Sequence, residues 1–139
     1  MRTSPNNMSG HPRLLVAEDE PDVRELLTCC FSAEGFEVLT AADGIEAEGM
    51  VHRERPDAVV LDVMMPGRDG LAVLAAMRAS PDLRTIPVVL LTARSADSDI
   101  WNGWKAGADY YVTKPFDVNG LVGYVRYLVD GSYAAAEGD

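Results

Sequence analysis

Asp57-Ala-Val-Val-Leu-Asp62 sets four apolar residues in a row between two carboxylates, and Val63-Met-Met-Pro-Gly67 follows at once. An apolar run without alternation reads as a strand covered on both faces, the mark of a central strand in a parallel sheet. Open α/β sheets bind their ligands just beyond the C-terminal ends of such strands. Asp62 stands at that edge. A helix-capping role fits it poorly, because Met65-Pro66-Gly67 breaks the chain before a helix can start.

Strands and helices alternate on either side of this stretch. Leu14-Leu-Val-Ala17 is a short apolar strand, and Pro21 suits the first position of a helix. Val23, Leu26, Leu27, Cys30 and Phe31 recur there at helical spacing, and Gly35 fits the stop. Phe36 to Ala41 reads as the second strand, and Asp43-Gly44 turns the chain into a helix ending before Pro56. Beyond Asp62, Asp69-Gly70 opens a helix with Leu71, Leu74, Ala75 and Met77 on its apolar face. Ile86 to Leu91 is the fourth strand, with Pro87 near its start, where a missing donor does least harm. Ser95 to Gly107 is helical, Asp109 to Val112 is the fifth strand, and Asp117 to Val129 is the last helix. Five β-α units with short connections predict a doubly wound five-stranded parallel sheet with five helices.

The chain has 139 residues, enough for one domain with a real core. Residues 1–12 read as a disordered extension, 13–130 as the domain, and 131–139 as a frayed tail. Twelve basic against 22 acidic residues give a net charge of −10, a surface that repels phosphate backbones, so no direct nucleic-acid binding is expected. Cys29 and Cys30 are adjacent in a helix, where side chains diverge, and read as buried or half-buried free thiols of a reducing compartment. No stretch has the length and composition of a signal peptide or a membrane span, so a cytoplasmic protein without membrane contact is expected.

The strand-edge rule collects Glu18, Asp19 and Glu20 after the first strand, Asp62 after the third, Thr92 after the fourth and Lys114 after the fifth. Singly each is ordinary. An acidic run is usually solvated surface, and Lys-Pro is common in loops. Together they place carboxylates, a hydroxyl and an ammonium around one point. Facing carboxylates repel, and a hard divalent cation such as Mg²⁺ relieves that conflict. An ionised Asp attacks phosphorus without a general base, and Mg²⁺, Lys114 and Thr92 would neutralise the phosphoryl oxygens. Ala93 is small and leaves room for the group.

These residues resemble the receiver domains of two-component response regulators, with a chemotaxis-regulator-like pattern. Leu14-Leu-Val-Ala-Glu-Asp-Glu20, Val60-Leu-Asp-Val-Met-Met-Pro-Gly67 with Asp69-Gly70, Leu91-Thr-Ala93 and Gly107-Ala-Asp-Tyr-Tyr-Val-Thr-Lys-Pro-Phe116 carry the likeness, over Arg13 to Asp130. It implies the flavodoxin-like strand order 2-1-3-4-5. It implies Asp62 as phosphoacceptor and Mg²⁺ held by Asp19, Asp62 and the Met64 carbonyl, with Glu18 acting through water. Thr92 and Lys114 would contact the phosphoryl group, and Thr92 with Tyr111 would form the switch. Glu18 stands where Asp is commoner, and Tyr110 where many members carry a second Asp. The implied partner is a sensor histidine kinase or phosphotransfer protein. The implied activity is a signalling switch that catalyses only its own phosphorylation and dephosphorylation, its changing face built from the fourth helix, fifth strand and last helix.

The last helix departs from the winged-helix subfamily, whose Glu and Arg at the positions of Gly120 and Tyr124 build dimer salt bridges. Here Leu121, Val122, Val125, Leu128 and Val129 form the buried stripe, and Gly120, Gly123, Tyr124 and Tyr127 the opposite side. Trp104 falls on the apolar stripe of its own helix, and Trp101 is one position off. Tyr124 and Tyr127, with Trp101, are the expected contact for an unidentified output partner or for phosphorylation-dependent self-association. The tail slightly favours a stand-alone receiver over one excised from a longer regulator. A haloacid-dehalogenase-type phosphatase is the rival from another class, but its second Asp, the proton donor, would fall at Met64.

Overall fold

The computed structural model describes residues 10–93, 105 and 107–130. Five parallel strands, β1 (Arg13–Ala17), β2 (Glu37–Ala41), β3 (Ala58–Asp62), β4 (Val88–Thr92) and β5 (Tyr110–Thr113), stand in the order β2-β1-β3-β4-β5. This is the expected order. The described helices are α1 (Pro21–Ala33), α2 (Gly44–Glu54), α3 (Gly70–Ala79) and α4 (Val118–Asp130). The helix expected over Ser95 to Gly107 lies mostly outside the described residues, and with it Trp101 and Trp104; Lys105, within it, is helical. The tail over 131–139 and the extension up to residue 9 lie outside them as well.

The ladder shows why the three central strands carry no polar alternation. Leu15, Ala17, Val59, Leu61, Val88 and Leu90 point into one core, where Ala47 and Val51 of α2 and Val73, Leu74 and Met77 of α3 cover them. Leu14, Val16, Ala58, Val60, Val89 and Leu91 point into the other, against Leu27 and Phe31 of α1 and Leu121, Val122, Val125 and Val129 of α4. Both faces are buried, so alternation in direction needs no alternation in polarity. Helix starts follow local chemistry. Pro21 opens α1, while Asp43 and Asp69 accept the amides of Glu46 and Ala72 at 2.8 Å to cap α2 and α3. Asp117 accepts from the amides of Asn119 and Gly120 at the head of α4, both at 3.3 Å.

Four expectations need correction. On α3 the buried face is Gly70, Val73, Leu74 and Met77, an i, i+3, i+4, i+7 series, and Ala75 is exposed. On α1 the core contact runs through Leu27 and Phe31, four apart, which turns Leu26 and Cys29 out to solvent. Cys30 is half-buried, so only one thiol is partly sheltered. Gly123 is buried within α4, because a residue of backbone alone is shielded by the side chains around it. No helix among the described residues is long and apolar enough to cross a membrane.

Candidate functional site

The expected acceptor, metal and phosphoryl-contacting residues sit at the C-terminal edge of the sheet, while Tyr111 lies within β5 and Tyr124 and Tyr127 on α4. Glu18 follows β1, its amide bonded to the Ala41 carbonyl at the end of β2 (3.0 Å). Asp62 closes β3 and Thr92 closes β4, both buried. Lys114 follows β5, and its amide donates to the Thr92 carbonyl at 2.7 Å. The parallel register therefore delivers four strand ends to one place.

Lys114 Nζ lies 3.0 Å from Glu18 Oε1, 3.2 Å from Asp62 Oδ2 and 3.4 Å from Glu20 Oε1. Asp62 Oδ1 accepts the Met64 amide at 3.2 Å, so a main-chain donor orients one oxygen and the ammonium faces the other. Met64 itself is exposed, between a Val63 amide tied to Leu91 O and the buried Met65 side chain. Glu18 Oε2 accepts the Glu20 amide at 3.0 Å. Its Oε1, fully buried, accepts no well-formed hydrogen bond and has the Lys114 ammonium beside it as an ion pair at 3.0 Å. One ligand oxygen each from Glu18, Asp19 and Asp62 falls within a common 4.8 Å span.

The electrostatics follow from burial. Loss of hydration pushes the Glu18 carboxyl up to about 7, against the pull of the Glu20 amide and Lys114. Asp62 is raised for the same reason, with Lys114 and the Met64 amide opposing. Burial draws the Lys114 ammonium down, but Glu18 and Asp62 outweigh it and its pKa ends above the ordinary lysine value. The pocket thus gathers the carboxyl groups of Glu18, Asp19, Glu20 and Asp62 around one ammonium. Hard oxygen donors in that arrangement fit a small divalent cation.

Thr92 and Tyr111 share a sheet face. Leu90 pairs with Tyr111 and Thr92 with Thr113, so Thr92 lies two residues along from the partner of Tyr111. Tyr111 is half-buried and packs on the core under α2 and α3. Its neighbour Tyr110 points the other way and stacks on Tyr124, ring centroids 4.1 Å apart, and their contact raises the Tyr124 pKa. Tyr127 and Leu128 line the same groove with Asp109, a cavity of about 390 Å³. The expected patch thus gains Tyr110, which the pattern on α4 alone could not reveal. Trp101 lies outside the described residues.

The family described as the response regulator receiver domain matches residues 14–126. The chain belongs to that family. It is 45% identical over 117 residues to the response regulator MprA of Mycobacterium leprae (strain TN), covering 84% of this chain and 50% of the relative. Among solved structures, the receiver domain of the Francisella response regulator 1452 superposes with a TM-score of 0.81 at 31% identity, covering 87% of this chain and 98% of that one. The receiver domain of the sensor histidine kinase PA1611 from Pseudomonas aeruginosa PAO1, which holds a magnesium ion in its active site cleft, superposes at 0.80 with 29% identity, covering 86% and 98%. Receiver membership places the domain in two-component signalling. The chain spans about half the length of the curated relatives it matches.

Proposed function

We propose that the domain is a phosphorylation-controlled switch in which Asp62 takes a phosphoryl group from the phosphohistidine of a sensor histidine kinase or phosphotransfer protein. The observation that carries this reading is the Asp62 carboxylate, buried at the end of β3 yet gripped by the Met64 amide on one oxygen and faced by Lys114 on the other. An Asp62 oxygen attacks phosphorus in line, the P–N bond of the phosphohistidine breaks, and its electron pair returns to the imidazole. Acyl phosphate and free histidine result. Lys114 shifts its charge from carboxylate to phosphoryl oxygen, and the Thr92 hydroxyl donates to a second.

Glu18, Asp19 and Asp62, with the Met64 carbonyl, are the residues that would hold Mg²⁺. When bound, that ion neutralises phosphoryl oxygens as charge builds on them. The chain catalyses nothing beyond its own phosphorylation and dephosphorylation. Readout runs through Thr92: its hydroxyl turns toward the phosphoryl group and vacates space on the face it shares with Tyr111, which swings inward. The groove of Tyr110, Tyr124 and Tyr127 takes an output partner or a second copy.

Intact mass after incubation with a small acyl-phosphate donor and Mg²⁺ tests the assignment. The parent should gain one phosphoryl group and Asp62→Asn none, with the fold of the variant intact by circular dichroism. Equal gains in the two proteins sink it.

A further inference from the structure

We infer that Gly44 is a positioning residue for Asp62: the first turn of α2 clamps the loop between β3 and α3 and so fixes the Met64 peptide that orients the carboxylate. The inference rests on the phosphoacceptor reading above. Its starting point is a close approach of two backbones. Gly44 is buried, its amide donates to the Pro66 carbonyl at 3.3 Å, and a Cβ at this position would run into the Arg68 carbonyl. The φ of Gly44 lies outside the left-handed region, so proximity to the loop, and no demand for an unusual backbone, calls for glycine here.

Further contacts tie the same turn to the same loop. Ile45 meets Gly67, where an added Cβ would come to 3.1 Å from the Ile45 Cδ1 atom. Glu48, one turn on from Gly44, pairs with Arg68 Nε at 2.5 Å. The turn that makes these contacts is itself rigid. Asp43 Oδ1 accepts the Glu46 amide at 2.8 Å, and Glu46 Oε1 accepts the Ala42 amide at 2.9 Å, reciprocal bonds in the manner of a capping box.

The loop transmits the clamp over a short distance. At its start the Val63 amide is tied to Leu91, and at its end the Gly70 amide returns to the Val63 carbonyl at 2.9 Å. Met65 is buried in the core, and Pro66 to Arg68 rest on α2. Met64 is the exposed link between these anchors, and it donates to Asp62 Oδ1. Pushing Pro66–Arg68 outward moves the Met64 peptide, because Met65 lies between them. Groups that orient a reacting carboxylate from the second row change its affinity for a metal by about 10–100-fold when lost.

The test compares the same substitution at two glycines of α2. Gly44→Ala drives a methyl into the loop, whereas Gly49→Ala meets nothing within 4 Å. Three readouts are taken on each protein: hydrogen exchange of the Met64 amide without metal, Mg²⁺ affinity by calorimetry, and phosphoryl mass gain. Gly44→Ala should exchange Met64 faster and bind Mg²⁺ about tenfold more weakly, with slower phosphorylation. Gly49→Ala should match the parent in all three. A folded Gly44→Ala with parental Met64 exchange and Mg²⁺ affinity overturns the inference.

Should Gly44→Ala fail to fold, Glu48→Ala decides, since it removes the Arg68 tether without adding an atom. It should weaken Mg²⁺ about threefold, and Glu48→Arg with Arg68→Glu should restore the affinity. Parental affinity in Glu48→Ala overturns the clamp. A parent that gains no phosphoryl mass refutes the phosphoacceptor reading instead, while Met64 exchange still reports on the clamp.

Discussion

The two edges of the sheet use the same charged residue types and treat them differently. At the N-terminal edge, Arg13 donates its amide to Asp57 (2.8 Å) and its guanidinium to the Glu54 carbonyl and carboxylate (2.9 and 2.6 Å). Arg78 donates to the carbonyls of Gly107, Arg84 and Ile86 and to Asp109, whose Oδ2 also takes the Val88 amide. Arg13 holds the Glu54 carboxyl below its ordinary range. At the C-terminal edge, burial pushes Glu18 up to about 7, and one of its oxygens accepts no well-formed hydrogen bond. Three carboxylates face two arginines at the N-terminal edge, and four face one lysine at the other. The edges differ in charge balance and in satisfaction. The satisfied edge holds the fold together, and the frustrated one is where the proposed cation and phosphoryl group would sit.

Removing Arg13 should break the satisfied edge hardest. Arg13→Met takes the buried guanidinium from the Glu54 carbonyl and carboxylate, while Asp57 keeps the main-chain amide, and should cost roughly 2 kcal/mol in urea unfolding. Phosphorylation of Asp62 should persist at temperatures where the variant is folded. A variant as stable as the parent would mean that the N-terminal network is ornamental.

A pH titration sharpens the other side. The folded pKa of Glu18 lies above its ordinary value of 4.5, so the folded state keeps a proton that the unfolded chain releases. Its contribution is present at low pH and is lost as pH rises from about 4.5 through about 7. In EDTA, the parent should lose stability relative to Glu18→Gln across that window, on the order of 2 kcal/mol. Parallel stability curves for the two proteins would contradict the strained carboxylate.

Magnesium should narrow the difference between the edges. At about ten times its dissociation constant, Mg²⁺ raises the parent by about 1.4 kcal/mol through linkage. Asp19→Ala should lose most of that gain, and Arg13→Met should keep it. A melting temperature indifferent to both Mg²⁺ and EDTA speaks against a metal site.

The smallest effect on stability concerns neither edge. Tyr124→Ala with Tyr127→Ala should leave phosphorylation unchanged and weaken phosphorylation-dependent self-association in sedimentation velocity. Sedimentation of the phosphorylated double variant identical to that of the phosphorylated parent would make the groove ordinary surface.

Much of this was legible before any coordinates. Apolar runs located the strands, and the strand-edge rule gathered Glu18, Asp62, Thr92 and Lys114, because parallel strands must end together. Packing hid the rest. Val73 displaces Ala75 on α3 since a helix chooses its face by fit to the sheet, and an alanine tolerates either side. Asp43-Gly44 reads as a turn and a cap, which it is, but the approach of Arg68 to Gly44 depends on two backbones far apart in sequence. Main-chain donors such as the Met64 amide leave no trace in residue type, so the grip on Asp62 could not be read from the chain. The strand-edge rule puts Lys114 near the acidic group, but its reach to Glu18, Glu20 and Asp62 at once follows from the packing of three strand ends.

β5 differs from the strands beside the acceptor in a way that bears on how a signal leaves the molecule. β1, β3 and β4 are buried at every position, whereas the four residues of β5 are all half-buried and pair with β4 alone. A border strand with solvent near each residue opens locally at a fraction of the free energy needed to disturb the interior. Tyr110 and Tyr111 face opposite sides of that strand, so displacement of one carries the other. On the proposed readout the hinge of the message is a border ribbon of the sheet, and the hydrophobic interior can stay as it is while the outline changes.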